Sequence, residues 1–239
     1  MPIRNLSLLT TTGYSLQPIK DITDELPKNK NYSWKQLCGE RVPEQITTIV
    51  VHHTGSLKAL GADAARHAKN HIEGTSIHVK GEPGLPYHVY CKEGQIYQTN
   101  DLLDFVYGVS DNNGYTVHIC TEGNFLYDTF TELDRIALYA AILAVKAVLP
   151  IVDIKGHNEL QAKACPAIDM SRVRSDIKTI EMDIERKQST LEAQIERCFA
   201  VKNQAEFMYN KAKLNDGDGV WARTWLDRVH AIMVEQKLL

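Results

Sequence analysis

Ile46-Thr47-Thr48-Ile49-Val50-Val51 runs directly into His52-His53-Thr54. Six β-branched residues in a row read as a strand buried on both faces. Histidines at the exit of such a strand stand where loops gather and are well placed for chemistry. Packed or surface histidines are nevertheless commoner at strand ends than ligands, so the stretches downstream decide the reading.

Working outward, Ala59 to Ile72 is alanine-rich and predicts a helix ended near Gly74. His67 and His71 share a face of it at i, i+4, but Ala68 stands where an H-E-x-x-H zinc motif needs glutamate, so both are expected to be solvated. Leu85 to Cys91 and Ile96 to Gln98, around Lys92-Glu93-Gly94-Gln95, read as a hairpin. Tyr115 to Cys120 is a third strand-like run after the turn Asp111-Asn112-Asn113-Gly114. Thr131 to Leu149 carries apolar residues at helical spacing, with Thr131 as a cap and Pro150 as a stop. Residues 1–45, with Pro18, Pro27 and Pro43, read as a lead-in of loops with a short helix from Ser33 to Leu37. From Val173 the chain turns long, charged and helical, with an imperfect heptad seam broken at Lys187 and Gln194. Asn215 to Gly219 forms a turn before a last amphipathic stretch containing Trp221 and Trp225. The expected fold is α/β: a mixed central β-sheet flanked by helices over 46–172, then a C-terminal α-helical hairpin over 173–239.

At 239 residues and 44% hydrophobic content the chain can bury a sizeable core. A formal net charge of −3 gives no basic field, so nucleic acid is not an expected partner. The five cysteines are odd in number and scattered without a C-x-x-C pair, which argues for folding in a reducing compartment rather than on a disulfide framework. Met1 to Thr10 offers too short an apolar segment for a secretory signal, and no run approaches a membrane span. Cytoplasmic accumulation without a signal peptide, and no membrane association, are the corresponding expectations.

The second decisive stretch is Gly156-His157-Asn158-Glu159-Leu160-Gln161-Ala162-Lys163-Ala164-Cys165-Pro166. A His, a Lys and a Cys lie close together in loop-like context, where the backbone is free to aim them at one point. One histidine from the strand end, with His157 and Cys165, makes three protein ligands, the number a catalytic zinc site uses while leaving a fourth position for water. Unrelated surface histidines and a buried cysteine are an equally good account of these residues taken alone. Blue copper also uses two His and a Cys with a weak methionine, and Met170 follows Cys165. Against copper, no histidine separates Cys165 from Met170, and helices occur where a copper sandwich has strands.

Val50-Val51-His52-His53-Thr54, Pro86-Tyr87-His88, Glu122-Gly123-Asn124, and Gly156-His157-Asn158-Glu159 through Lys163-Ala164-Cys165-Pro166, in that order, resemble the zinc-dependent N-acetylmuramoyl-L-alanine amidases. That family includes phage lysozyme-type amidases and is similar to peptidoglycan recognition proteins; the resemblance covers about residues 45 to 172. It implies Zn2+ held by His52, His157 and Cys165. Because neighbours on a strand point to opposite faces, only one of the histidine pair serves, and His53 packs or orients. Tyr87 matches the family's catalytic tyrosine and Lys163 its active-site lysine, both suited to an oxyanion or to passing a proton. Glu159 would stand behind the ligands. Three departures bear on the groove rather than the metal: Ala167 where glycine is frequent, His118 where a small residue is common, and Tyr107 in place of a histidine.

The implied activity is hydrolysis, by zinc-activated water, of the amide between N-acetylmuramic acid and the L-alanine of the stem peptide, with bacterial peptidoglycan as partner. A phage endolysin acting on the wall after release fits the missing signal best, with an autolysin or an amidase toxin as rivals. A non-catalytic peptidoglycan-binding module on the same fold is the alternative; it usually lacks the cysteine ligand, and Cys165 is present. The C-terminal helices are expected to target the wall or to form a homo-oligomer.

Overall fold

The computed structural model describes residues 2–9, 16–74, 81–190 and, farther on, 219, 223, 224, 227, 228, 230 and 231. The chain divides into two units, Met1–Glu181 and Met182–Leu239. The first is built on six strands: β1 (Lys20–Asp21), β2 (Thr48–His53), β3 (Val89–Lys92), β4 (Gln95–Gln98), β5 (Thr116–Thr121) and β6 (Asp153–Gly156). They form one mixed sheet in the order β1-β4-β3-β5-β2-β6, in which only the β3/β4 hairpin is antiparallel. The β-branched run leads into β2, an interior strand next to the edge strand β6; β2 pairs with both β5 and β6, and its residues Thr48–His53 are all buried. In the hairpin turn Glu93 and Gly94 both take positive φ, 50° and 82°, the twist that a two-residue connection needs.

Among the described residues the helices beside the sheet are α1 (Trp34–Cys38), α2 (Ala64–Glu73), α3 (Glu132–Lys146), and α4, which begins at 170 and is described to 190. Thr131 caps α3, its hydroxyl accepting from the Asp134 N–H. One face of the sheet, with Ile49, Val51, Val89, Val117 and Ile119, packs on α3 through Leu138, Ala141, Ile142 and Val145. Each fully buried side chain of this kind is worth about 1.5–3 kcal/mol of transfer free energy. Val173 and Ile177 at the start of α4 join the same core, and the Tyr139 hydroxyl donates to Asp176 at 2.8 Å. The other face of the sheet carries the site.

Two sequence expectations need correction. The helix expected over Ala59–Ile72 is a 3-10 turn at Lys58–Leu60, a break at Gly61 in the left-handed region, and then α2. Asp63 starts α2 by accepting the Arg66 N–H, a cap that resets the helix to begin at Ala64 rather than Ala59. His67 is not solvated: it is 6% exposed, and its Nε2 lies 2.8 Å from Glu122 Oε2, which also accepts the Tyr90 hydroxyl at 2.7 Å. His71, at the rim, faces Glu82 at 3.1 Å.

The segment ahead of 46 is woven into the first unit. Leu6 lies in the main core, the Gln98 side chain accepts from the Leu6 N–H and donates to the Ile3 carbonyl, and β1 borders β4. The expected short helix near Ser33–Leu37 is α1, capped by Ser33. The expected second arm of the C-terminal hairpin, with Trp221 and Trp225, lies outside the described residues. Among the described residues no helix is long and apolar enough to cross a membrane.

Candidate metal centre

The period of two along β2 sends His52 to the face opposite α3 and His53 to the other. His52 is 2% exposed and sits beside Cys120 in the β2/β5 register. The neighbouring strand β6 ends at Gly156, which places His157 on the first residue of a 3-10 turn at the same end of the sheet. From there the chain loops out and returns, closed by the Asn158 N–H donating to the Cys165 carbonyl at 2.7 Å. Gly156 is required by this close return, because a Cβ there would meet Pro166 and Met170 at 2.9 Å and Asn158 Oδ1 at 2.5 Å. Glu159 holds the turn from below: its carboxylate accepts from the Gly156 N–H at 2.7 Å and from Arg174 at 2.9 Å.

This local folding brings three ligand atoms, one each from His52, His157 and Cys165, within 4.8 Å of one another. His52 Nδ1 lies 3.8 Å from Cys165 Sγ. His157 Nε2 is engaged by Gln161 Oε1 at 2.8 Å, which leaves Nδ1 for the centre. Burial pulls the pKa of His52 well below that of an ordinary imidazole, and the neighbouring histidines add to it. Burial does the same, less strongly, to His157. Both rings are therefore neutral at pH 7, as metal ligands must be. The Cys165 thiol is pushed up to about 11, chiefly by burial and against the pull of the His53 N–H that donates to it at 3.3 Å. A thiol so raised keeps its proton on protein charges alone, and a dication shared with two imidazoles is what would draw that proton off. Two nitrogens and one sulfur within 4.8 Å of one another suit Zn2+ in donor type and in number.

His53 is also buried, at 8% exposed, but faces away, its Nδ1 accepting the Phe125 N–H at 3.2 Å. The ring of Tyr87 lies 5.2 Å from that of His52, centroid to centroid. Its hydroxyl is held well above the ordinary tyrosine pKa, first by burial and then by the sulfurs of Cys120 and Cys165. Lys163 is exposed and, with His157, Gln161, Phe105, Tyr107 and Asp111, lines a cavity of about 810 Å3. Tyr107 accepts from the Cys38 thiol at 2.9 Å, and Ala167 takes a φ of +58° just beyond Cys165-Pro166.

Of the two residues behind the ligands, Gln161 is not singled out by the sequence, and His118, expected to bear on the groove rather than the metal, instead lies against His52. Gln161 has a local signal, standing four residues after His157, one helical turn away. His118, which contacts the far side of His52, is legible only once the β2/β5 register is known.

A family model described as N-acetylmuramoyl-L-alanine amidase matches residues 42–168, just over half of the chain. No curated protein sequence matches. Among solved structures, the chain is similar to the endolysin N-acetylmuramoyl-L-alanine amidase LysCS from Clostridium intestinale URNW, with 19% identity, 70% of this chain and 99% of that one covered, and a TM-score of 0.55. It is similar to bumblebee PGRP-SA at 17% identity, with 64% and 89% covered and a TM-score of 0.51. Peptidoglycan recognition protein-LE, solved in complex with tracheal cytotoxin, a monomeric diaminopimelic acid-type peptidoglycan, aligns at 14% identity, 62% and 86% coverage and a TM-score of 0.50. At these identities the likeness is one of fold.

Proposed function

We propose, from the premise that this chain belongs to the N-acetylmuramoyl-L-alanine amidase family, that it is a zinc-dependent peptidoglycan hydrolase. It cleaves the amide between N-acetylmuramic acid and the L-alanine of the stem peptide. The observation that carries the reading is the convergence of His52, His157 and Cys165 within 4.8 Å beside an open cavity. A binding-only module on this fold usually lacks the cysteine ligand, whereas Cys165 is present here and lies with the two histidines.

Zinc bound there would supply Lewis acidity and make water a nucleophile near neutral pH. The protein's own groups do the rest. His52, His157 and Cys165 hold the metal, with Gln161 fixing the His157 ring. Tyr87, kept protonated, donates a hydrogen bond to the oxygen on which charge develops as the amide carbon becomes tetrahedral. Lys163, which lines the cavity beside His157, would bring positive charge to the substrate and pass a proton to the leaving α-amine. Water adds across the C–N bond, leaving a lactyl carboxylate on the sugar and a free amino terminus on L-alanine.

The likeness of fold to an endolysin amidase supports action on bacterial cell wall as a phage endolysin. The α4 helix and the chain beyond it we assign to wall targeting or self-association. The test is release of new L-alanine amino termini from purified peptidoglycan by metal-free protein, by protein restored with zinc, and by Cys165→Ala. Zinc-dependent release that the substitution abolishes is expected. Zinc binding without release from several wall chemotypes would instead make this a binding module, and no zinc binding at all would overturn the metal reading.

A further inference from the structure

The ring of His52 has a second nitrogen, and its surroundings are unusual. While Nδ1 faces Cys165, Nε2 lies 3.0 Å from Nδ1 of His118, a fully buried residue on β5. His118 Nε2 in turn lies 3.2 Å from the Thr116 hydroxyl, and that hydroxyl donates to the Asn112 carbonyl at 2.9 Å. Hydrogen counting then fixes every proton in the row. Thr116 has one hydroxyl hydrogen, and the Asn112 carbonyl takes it, so the Thr116 oxygen accepts from His118 Nε2–H. A neutral imidazole with hydrogen on Nε2 has a bare Nδ1, so His118 accepts from His52. His52 must therefore carry its hydrogen on Nε2 and present a lone pair from Nδ1, on the side of Cys165 and His157.

The His118 ring is itself held in place. Its backbone N–H donates to His88 Nδ1 at 3.0 Å, and the two rings stack with centroids 5.5 Å apart. Room for the ring comes from Gly108, where a Cβ would stand 2.5 Å from His118 Cε1 and Nδ1. The Gly108 backbone does not need the left-handed region, so the glycine serves space rather than a turn.

We propose that His118 is a positioning residue for the metal: as hydrogen-bond acceptor to His52 Nε2–H it fixes the tautomer and ring angle that present Nδ1, and thereby sets zinc affinity. This rests on the zinc reading above. Carboxylates and backbone carbonyls are the usual partners behind a metal-bound histidine, and losing such a partner typically costs about 10–100-fold in metal affinity.

The test is zinc affinity of the full chain, by competition with a chromophoric chelator, for wild type, His118→Val and His118→Asn. Valine removes the acceptor, whereas the asparagine oxygen stands near the position of Nδ1 and keeps it. Expected are a weakening of about 10–100-fold for His118→Val with an altered Co2+ absorption spectrum, and affinity within about threefold of wild type for His118→Asn. Equal affinities in all three, or equal weakening in both variants, would reduce His118 to a packing residue while leaving the metal reading intact. Absence of zinc binding by wild type would overturn both. A second measurement needs no variant: long-range 1H–15N spectra of metal-free wild type should show His52 as the Nε2–H tautomer, and the Nδ1–H tautomer would overturn the proposal.

Discussion

The guanidinium of Arg41 lies 3.1 Å from Nε2 of His88, inside the protein and 5% exposed, with backbone carbonyls as its acceptors. Leu102, Asp104, Asn113 and Thr116 all offer their carbonyl oxygens to its two terminal nitrogens, and Leu103 accepts from Nε at 3.4 Å. Burial pulls its pKa down to about 10, a cost that the charges of Asp104 and Asp101 only partly offset. One side chain thus gathers the loops on both flanks of the site and buttresses His88, against which His118 stacks. Arg41→Ala leaves several buried carbonyls without donors and is expected to cost about 3 kcal/mol or more, and Arg41→Lys, which has no planar fork, a large part of that. Urea unfolding of both variants checks this; a loss below about 1 kcal/mol for alanine would mean that water replaces the guanidinium.

Tyr87→Phe removes the hydroxyl proposed above to hydrogen-bond the developing oxyanion, and little else. With the hydroxyl held well above its ordinary pKa, no tyrosine ionisation enters the working pH range, so the expected change is a fall of about 100–1,000-fold in kcat with the shape of the pH profile retained. Steady-state kinetics on a soluble muropeptide measures it. A change confined to KM would make Tyr87 a binding residue.

Ala167 occupies a backbone conformation that favours glycine, with φ at +58°. Ala167→Gly removes the Cβ clash and should stabilise the protein by about 0.5–1 kcal/mol, offset in part by the greater freedom of glycine in the unfolded chain. Thermal and urea midpoints at equal zinc loading read the difference, and destabilisation would show that the Ala167 methyl packs more tightly than its backbone is strained.

At the far edge of the sheet, Asp21 accepts two hydrogen bonds from Arg4 at 2.9 Å. Burial alone would raise this carboxyl, but Arg4 and the Thr23 N–H outweigh it and hold the pKa at about 2. A depressed carboxyl contributes stability that is complete above its unfolded value near 4 and is lost as pH falls through about 2. Wild type should therefore exceed Asp21→Asn by about 1–2 kcal/mol at pH 6, with the gap closing towards pH 2. A gap that does not change with pH would assign the effect to packing.

The sheet lies close to the surface of the sequence, because its strands depend on short-range pattern, whereas His52, His157 and Cys165 are singled out as a set only through the family resemblance. Ile46 to Val51 reads as a buried strand, found as Thr48–His53, period two separates His52 from His53, and the loop from Gly156 to Pro166 keeps a His, a Lys and a Cys within ten positions. What hides is whatever depends on register between distant strands. His67 looks like a solvated helix residue until α2 packs on the sheet and meets Glu122 from the end of β5. Arg41 sits in a proline-flanked stretch with no periodicity, and β1 is two residues long, too short to leave a pattern. His118 belongs with them: its meaning comes from lying two residues along β5 from Cys120, which pairs with His52.

The weaving of residues 2–9 and 16–45 into the first unit bears on how this enzyme can be recombined with other modules. A chimera cut at 46, where the β-branched run begins, would discard the guanidinium that gathers the loops and would strip β1 from β4, leaving a row of unpaired backbone donors and acceptors along an open edge. Such an edge invites pairing with a second molecule, so the expected product is an aggregate rather than a smaller enzyme. Transplants should carry the chain from Ile3 onward, and variation meant to retune specificity belongs in the cavity wall instead.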